Sequence, residues 1–356
     1  MDFEKLAQAL EARKQPTYRL AQIKRAFFVE LRSDWSEVSV LSKYLREELA
    51  KDVSWNTLTP LRVQESKEGE TIKTLFRCHD GKTIEAVLMC HEDERNTVCV
   101  SSQVGCAMAC TFCATGTMGL TRNLTSEEIV EQVMHFARLL KKKGETVTNV
   151  VLMGMGEPLH NYDEVMRALK RLNSKDGFCF GARRMSISTC GIVPGILRLA
   201  DEPMQINLAI SLHAGTDEVR SKIMPVNKAY PLAKLMDAVH IYQEKTNRKV
   251  MFEYLLLRGV NDREEDAQAV AELLGSDVRL IHVNVIKYHN TLAFEGTERG
   301  ARTDFVERLR ALGIPATHRV TFGEDIDAAC GQLAVNETGG AIMQGTEAIK
   351  KNKTQR

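Results

Sequence analysis

The chain alternates short apolar runs with amphipathic stretches, and two periodicities divide it into zones. Up to about residue 60, segments such as "YRLAQIKRAFFVEL" and "SVLSKYLREELAKD" space their apolar residues three or four apart, which buries one face of a helix. Next, "IKTLFRCHDGKTIEAVLMCHED" reads as two alternating runs joined around Asp80-Gly81, a hairpin signal. Beyond it come the β-rich runs "TVCVSSQVG", "TNVVLMGMGE", "RRMSISTCG", "QINLAISLHA", "KVMFEYLLLRGVND" and "RLIHVNVIKY", with helical segments such as "YDEVMRALKRLN" and "REEDAQAVAELLG" between them.

Strands alternating with helices imply parallel pairing through right-handed crossovers. Six such units fall short of the eight of a closed barrel and suit an open one. The expected fold class is therefore α/β: a partial (β/α)6 barrel with a small N-terminal helical accessory domain and a β-hairpin linker. The expected boundaries are 1–65 for the helical domain, 66–98 for the hairpin, 99–335 for the core and 336–356 for a polar, basic tail. Functional residues of such a barrel gather at the C-terminal ends of the strands. The runs here end in MGMGE, STCG, SLH and RGVND.

Bulk composition narrows the compartment and leaves the partner open. With 356 residues, 44% of them apolar, the chain can bury a sizeable core, and a net charge of +1 does not announce a nucleic-acid binder. No stretch reaches the roughly 18 apolar residues of a membrane span. The N-terminal segment has no apolar run that could serve as a signal peptide. A cytoplasmic location without membrane attachment is expected. There, a cluster among the nine cysteines is a metal or redox site rather than a disulfide framework.

That cluster is "CVSSQVGCAMACTFCATG", in which Cys106, Cys110 and Cys113 form a C-x3-C-x2-C group while Cys99 stands apart upstream. Three thiolates can hold an iron–sulfur cluster that normally takes four, leaving one iron open, and an open position marks a catalytic rather than a structural site. On spacing alone, a zinc knuckle completed by Cys99, or simply buried thiols, remains an alternative.

Phe112 before the last cysteine, "CATG" after it and a strand-end "GMGE" resemble the radical S-adenosylmethionine (SAM) superfamily. More closely, "VSSQVGCAMACTFCATG", "MGMGEPL", "STCGIVPGI", "AISLHAGTDEVRSKIMPVNK" and "DIDAACGQL" resemble, in order, the RlmN/Cfr family of radical-SAM RNA methyltransferases, over nearly the whole chain. The resemblance implies a [4Fe–4S] cluster and SAM as cofactors, with Cys106, Cys110 and Cys113 as cluster ligands. It implies SAM contacts at Gly156, Glu157, Ser188, Ser211, Leu212 and His213. A further contact is expected in "KYHNTLAFEG", at Asn290 in preference to His289.

By the same resemblance Cys330 carries a methyl group, Glu85 accepts a proton and Cys99 resolves the covalent intermediate through a transient disulfide. The implied substrate is adenosine of 23S rRNA, with tRNA as a further candidate. The other implied partner is an external electron donor such as flavodoxin or ferredoxin, and the implied state is a monomer. The family methylates carbon 2 or carbon 8 of the adenine ring. The segment "FGEDI" with Phe322 is nearer to the carbon-8 pattern, and carbon 2 is preferred because that branch is the commoner.

A non-catalytic iron–sulfur RNA-binding protein on the same scaffold is the alternative of another class. Cys78, Cys90, Cys179 and Cys190 are read as structural, Cys190 standing where many relatives have serine. Lys141 to Lys143 and Arg183-Arg184 are read as phosphate contacts or as solvated element ends.

Overall fold

A computed structural model of the chain describes residues 1–289 and 294–333. It opens with helices α1 (Phe3–Ala12), α2 (Tyr18–Phe28) and α3 (Lys43–Asp52). These pack around an aromatic knot of Phe3, Phe27, Phe28, Trp35 and Trp55, with Phe27 and Phe28 edge to face at 4.9 Å. Both indoles satisfy their N–H groups on carbonyls, Trp35 on Val53 and Trp55 on Arg32, each at 2.9 Å, as buried tryptophans require.

Strands β1 (Thr59–Glu65), β2 (Thr71–Arg77) and β3 (Thr83–Cys90) follow. β2 and β3 form the expected antiparallel hairpin. β1 pairs antiparallel with β2, so residues 59–65, which the sequence grouped with the helices, are a third strand of this meander.

The core then runs β4 (Asn96–Cys99), β5 (Gln103–Cys106), α4 (Ala114–Thr117), β6 (Gly119–Asn123), α5 (Ser126–Lys142), β7 (Asn149–Leu152), α6 (Tyr162–Asn173), β8 (Met185–Thr189), α7 (Val193–Ala200), β9 (Asn207–Ser211), α8 (Asp217–Ile223), α9 (Leu232–Thr246), β10 (Val250–Leu256), α10 (Glu264–Leu274), β11 (Ile281–Lys287), α11 (Arg299–Ala311) and β12 (Ala316–His318). One sheet has the order β1-β2-β3-β4-β7-β8-β9-β10-β11-β12, and β5 and β6 form a separate pair. β4, β7, β8, β9, β10 and β11 are joined in parallel, and these are the six strands the apolar runs predict. β12 adds a short parallel strand at one edge. At the other edge β3 pairs antiparallel with β4, so the meander and the barrel share one sheet.

Helices on the outer face cover the parallel strands, which explains why runs such as β10, "VMFEYLL", are apolar almost throughout. α5 carries a capping box, with Thr125 and Glu128 bonding reciprocally to each other's backbone N–H, and that fixes where the chain turns away from the cysteine loop.

Candidate active site

The strand ends expected to carry function converge on one cavity. Cys106, Cys110 and Cys113, Gly156 and Glu157 after β7, Ser188 at the end of β8, and Ser211 and His213 at the end of β9 all line it. Its free space is about 830 Å³ including the open mouth, a size suited to a nucleoside-sized ligand.

The three cysteines are free thiols. Burial pushes Cys106 up to about 12, and it raises Cys110 and Cys113 as well, each further opposed by neighbouring thiols. Such a trio is held as thiolates only when a bound cation offsets the mutual repulsion, which is what iron supplies. Among the described residues, no three His, Cys, Asp or Glu side chains converge closely enough to hold a single ion. Thiols spread around a cavity suit the corners of a cluster, and Cys99 lines the adjoining cavity rather than this one.

Glu157 is buried, and its carboxylate accepts from Leu159 N at 2.9 Å and Cys190 N at 2.8 Å. Those bonds aim it and leave lone pairs for a ligand ammonium. Gly156 has φ +101°, and a Cβ there would come within 2.5 Å of Gln103. The glycine is therefore required by close packing of the β7 loop against β5. His213, at φ 58°, accepts from Leu255 N through Nδ1 at 3.0 Å, which leaves its proton on Nε2. Burial holds it down to about 3, so it is a neutral donor.

Leu212, one residue past β9, is not in that cavity wall: it is fully buried, its N–H donates to Glu253 O and its carbonyl accepts from Arg220 Nε, each at 3.0 Å. Asn290 lies outside the described residues. His289, its alternative, is buried, with Nδ1 3.7 Å from Glu324 Oε2.

A second cavity adjoins the first, and Cys113, Met153, Gly154, Arg319 and Cys330 line both. Cys99, buried at the end of β4, and Cys330, exposed, open onto it together. Burial pushes the Cys99 thiol up to about 12, with Cys330 adding to the rise and Arg319 opposing it. The segment bearing Cys330 is strapped to the cysteine loop: Ala114 N donates to Gly331 O at 2.8 Å and Thr115 Oγ1 to Leu333 O at 2.6 Å. It is also tied to the meander, where Lys73 Nζ donates to Asp327 O at 3.1 Å and Lys67 N to Asp325 Oδ2 at 2.9 Å.

Glu85 is buried on β3, and its carboxylate lies 3.4 Å from Lys73 Nζ. Its same-face neighbours Val87 and Met89 line the second cavity, and Glu85 sits one pleat below them.

Several residues of the site carry no motif. Arg319 links the two cavities, pairing with Glu253 at 3.2 Å and lying beside both Cys99 and Cys330. Cys190, expected to be structural, lines the first cavity with the ligand cysteines. Its departure from serine was the one signal the sequence offered. Lys141 to Lys143 and Arg183-Arg184 fall just before β7 and β8. That is the N-terminal end of the sheet, opposite both cavities. Lys141 is spent on Glu30 O at 2.6 Å and Arg183 on Gln205 Oε1 at 2.6 Å. They read as element ends rather than as part of the site. Among the described residues no helix is long and apolar enough to cross a membrane.

Comparison with known proteins agrees with this geometry. Residues 100–274 match the family model described as Radical SAM superfamily. The chain is 46% identical over 340 residues to a protein of Geobacillus thermodenitrificans named probable dual-specificity RNA methyltransferase RlmN, covering 95% of this chain and 92% of that one. A Staphylococcus saprophyticus protein of the same name is 46% identical over 326 residues, covering 91% and 88%. A crystal structure of a radical SAM methyltransferase from Sphaerobacter thermophilus superimposes with a TM-score of 0.90 at 48% identity, covering 94% of this chain and 97% of that one.

Proposed function

We propose a function on the premise that this chain belongs to the RlmN family within the radical SAM superfamily: it is an RNA methyltransferase that places a methyl group on carbon 2 of adenosine in 23S rRNA, with tRNA as a second substrate. The observation that carries the reading is the adjoining pair of cavities, one lined by three cysteines and the strand-end polar residues, the other by Cys99 and Cys330, with Cys113, Arg319 and Cys330 in both walls. The relatives' printed name, probable dual-specificity RNA methyltransferase RlmN, supports the RNA methyltransferase activity.

Cys106, Cys110 and Cys113 hold the [4Fe–4S] cluster, and Gly156, Glu157, Ser188, Ser211 and His213 surround SAM, Glu157 receiving its ammonium. Together these cofactors supply the methyl group and the one-electron chemistry that an unreactive ring carbon needs. The protein contributes two thiols and a base. Cys330 carries the methyl on its sulfur; the one-electron chemistry that the cofactors would supply takes a hydrogen atom from that methyl, its carbon then bonds to the adenine, and the surplus electron would pass back to the cofactors as the ring proton leaves. Cys99 then attacks the Cys330 sulfur, so that an S–S bond forms and the C–S bond breaks. The released electron pair stays on the carbon, which takes up a proton to become the methyl group, while Glu85 takes the proton leaving the ring. Lys73, beside Glu85, is the positive partner a buried carboxylate needs. An external dithiol reduces the disulfide before the next cycle, and an external donor such as flavodoxin or ferredoxin supplies the electron.

Phe322 supports the second reading, methylation at carbon 8 of the Cfr type. It belongs to the FGEDI segment that is nearer to that pattern, lines the Cys99–Cys330 cavity and meets the His91 ring edge to face at 4.6 Å. Mass spectrometry of nucleosides from RNA incubated with the reconstituted protein decides between them. 2-Methyladenosine is expected, and 8-methyladenosine without it would overturn the choice. A protein that holds its cluster but cleaves no SAM under reduction would instead be the non-catalytic RNA binder.

A further inference from the structure

Among the described residues, one buried charge beside the first cavity has no partner of opposite sign in contact. Arg220, on α8, is 0% exposed. Its guanidinium is spent on neutral acceptors: Nε on Leu212 O at 3.0 Å, Nη1 on Asn227 Oδ1 at 2.9 Å, and Nη2 on Cys190 O at 2.7 Å and Ser211 O at 3.1 Å. Two other cations of the region are matched, half-buried Arg319 by Glu253 at 3.2 Å and buried Lys73 by Glu85 at 3.4 Å. The carboxylate of Asp217 stands one amide removed, accepting from Asn227 Nδ2 at 2.8 Å and from Leu232 N at 2.8 Å.

A guanidinium cannot shed its charge, and burying an uncompensated one costs several kcal/mol. Carbonyl oxygens alone do not repay that, because a neutral donor would serve them as well. A negative charge that the described side chains do not provide is therefore implied close by. The bonds to Cys190 O and Ser211 O set the guanidinium under the wall of the first cavity, which both residues line with the three ligand cysteines.

We propose that Arg220 is the internal counter-charge of the iron–sulfur cluster, stabilising its reduced form and so raising its reduction potential, while its hydrogen bonds hold the ends of β8 and β9 around SAM. The inference rests on the reading that Cys106, Cys110 and Cys113 hold that cluster. Three thiolates leave a [4Fe–4S] group with net negative charge, and reduction adds one more electron from the external donor with no bond made or broken. A fixed positive charge in low dielectric favours the more negative state, and net charge is one of the levers that sets cluster potentials.

The test is a redox titration of the reconstituted holoprotein, followed by electron paramagnetic resonance, with iron content and SAM affinity measured alongside. Arg220→Gln removes the charge and keeps some hydrogen bonding; its midpoint should move to more negative potential. Arg220→Lys keeps the charge and should recover most of the wild-type midpoint, though SAM binding weakens. Asp217→Asn, of equal size and outside the cavity wall, keeps an oxygen to accept from Asn227 Nδ2 and Leu232 N, removes the carboxylate that partly offsets the guanidinium, and should raise the midpoint with Arg220 intact. It decides the matter if Arg220→Gln fails to hold its cluster. Unchanged midpoints in Arg220→Gln and Asp217→Asn, with only SAM affinity altered, would overturn the counter-charge and leave a hydrogen-bonding bracket. A wild-type protein that binds no cluster would be a different failure, that of the three-cysteine reading itself.

Discussion

Cys99, buried at the end of β4, and Cys330, exposed near the end of the described chain, open onto one cavity, and both are free thiols. Arg319 lies beside the two of them and is anchored by Glu253 at 3.2 Å. A resolving thiol must reach the sulfur it attacks, which requires Cα atoms within roughly 7 Å in the reactive state. Sharing a cavity wall is the precondition, and the strap from Ala114 and Thr115 to Gly331 and Leu333 maintains it.

Removing Cys99 should therefore trap the enzyme on its RNA. Cys99→Ala is expected to accumulate a protein–RNA adduct that survives denaturant, visible as a shifted band on a denaturing gel. The Cys99→Ala, Cys330→Ala double variant should give none. Normal turnover by Cys99→Ala without an adduct would reduce Cys99 to a buried strand thiol.

The cluster ligands divide from Cys99 by iron content. Cys106→Ala, Cys110→Ala and Cys113→Ala should each lose iron and the brown absorption, since two thiolates hold a cubane poorly. Cys99→Ala should retain both. Iron lost from Cys99→Ala would make Cys99 a fourth ligand.

Gly156→Ala should be costly before any cofactor binds. The position has φ +101°, and a Cβ would approach Gln103 Cβ to 2.5 Å. Strain and clash together should exceed about 2 kcal/mol. Chemical denaturation of the apoprotein measures this directly, and apo stability equal to wild type would leave the glycine a role toward SAM alone.

Stability should fall in mild acid through a histidine distant from the chemistry. His135 packs edge to face on Phe76 at 4.9 Å, and burial pulls it from 6.5 to about 4. Between those values the unfolded chain takes up a proton that the folded one refuses, so stability is complete above 6.5 and is lost as pH falls toward 4. The shift corresponds to about 3 kcal/mol. Denaturation between pH 7 and 4.5 should show a shallower decline for His135→Phe, and an identical slope would show that His135 ionises freely in the folded state.

The sequence by itself determined the elements and the chemistry of the motifs. Apolar runs of strand length separated by amphipathic helices allow one parallel arrangement, and so the six strands and the cavity at their ends follow from local pattern. The C-x3-C-x2-C loop and the strand-end MGMGE, STCG and SLH each lie within one short segment, so each is legible in the sequence, and the resemblance assigned them to one site, where all four line one cavity. β1 escaped because "TPLRVQE" is mostly exposed and has only Leu61 and Val63 in apolar alternation. Only the tertiary structure decided the rest. Arg220 lies in "DEVRSKI", where an arginine reads as a solvated helix face, and it is buried because α8 folds beneath the ends of β8 and β9. Arg319 and Glu253 are distant in sequence and meet because β10 and the segment after β12 turn toward the same cavity. Burial and charge pairing depend on which elements pack together, and no local pattern of residues encodes that.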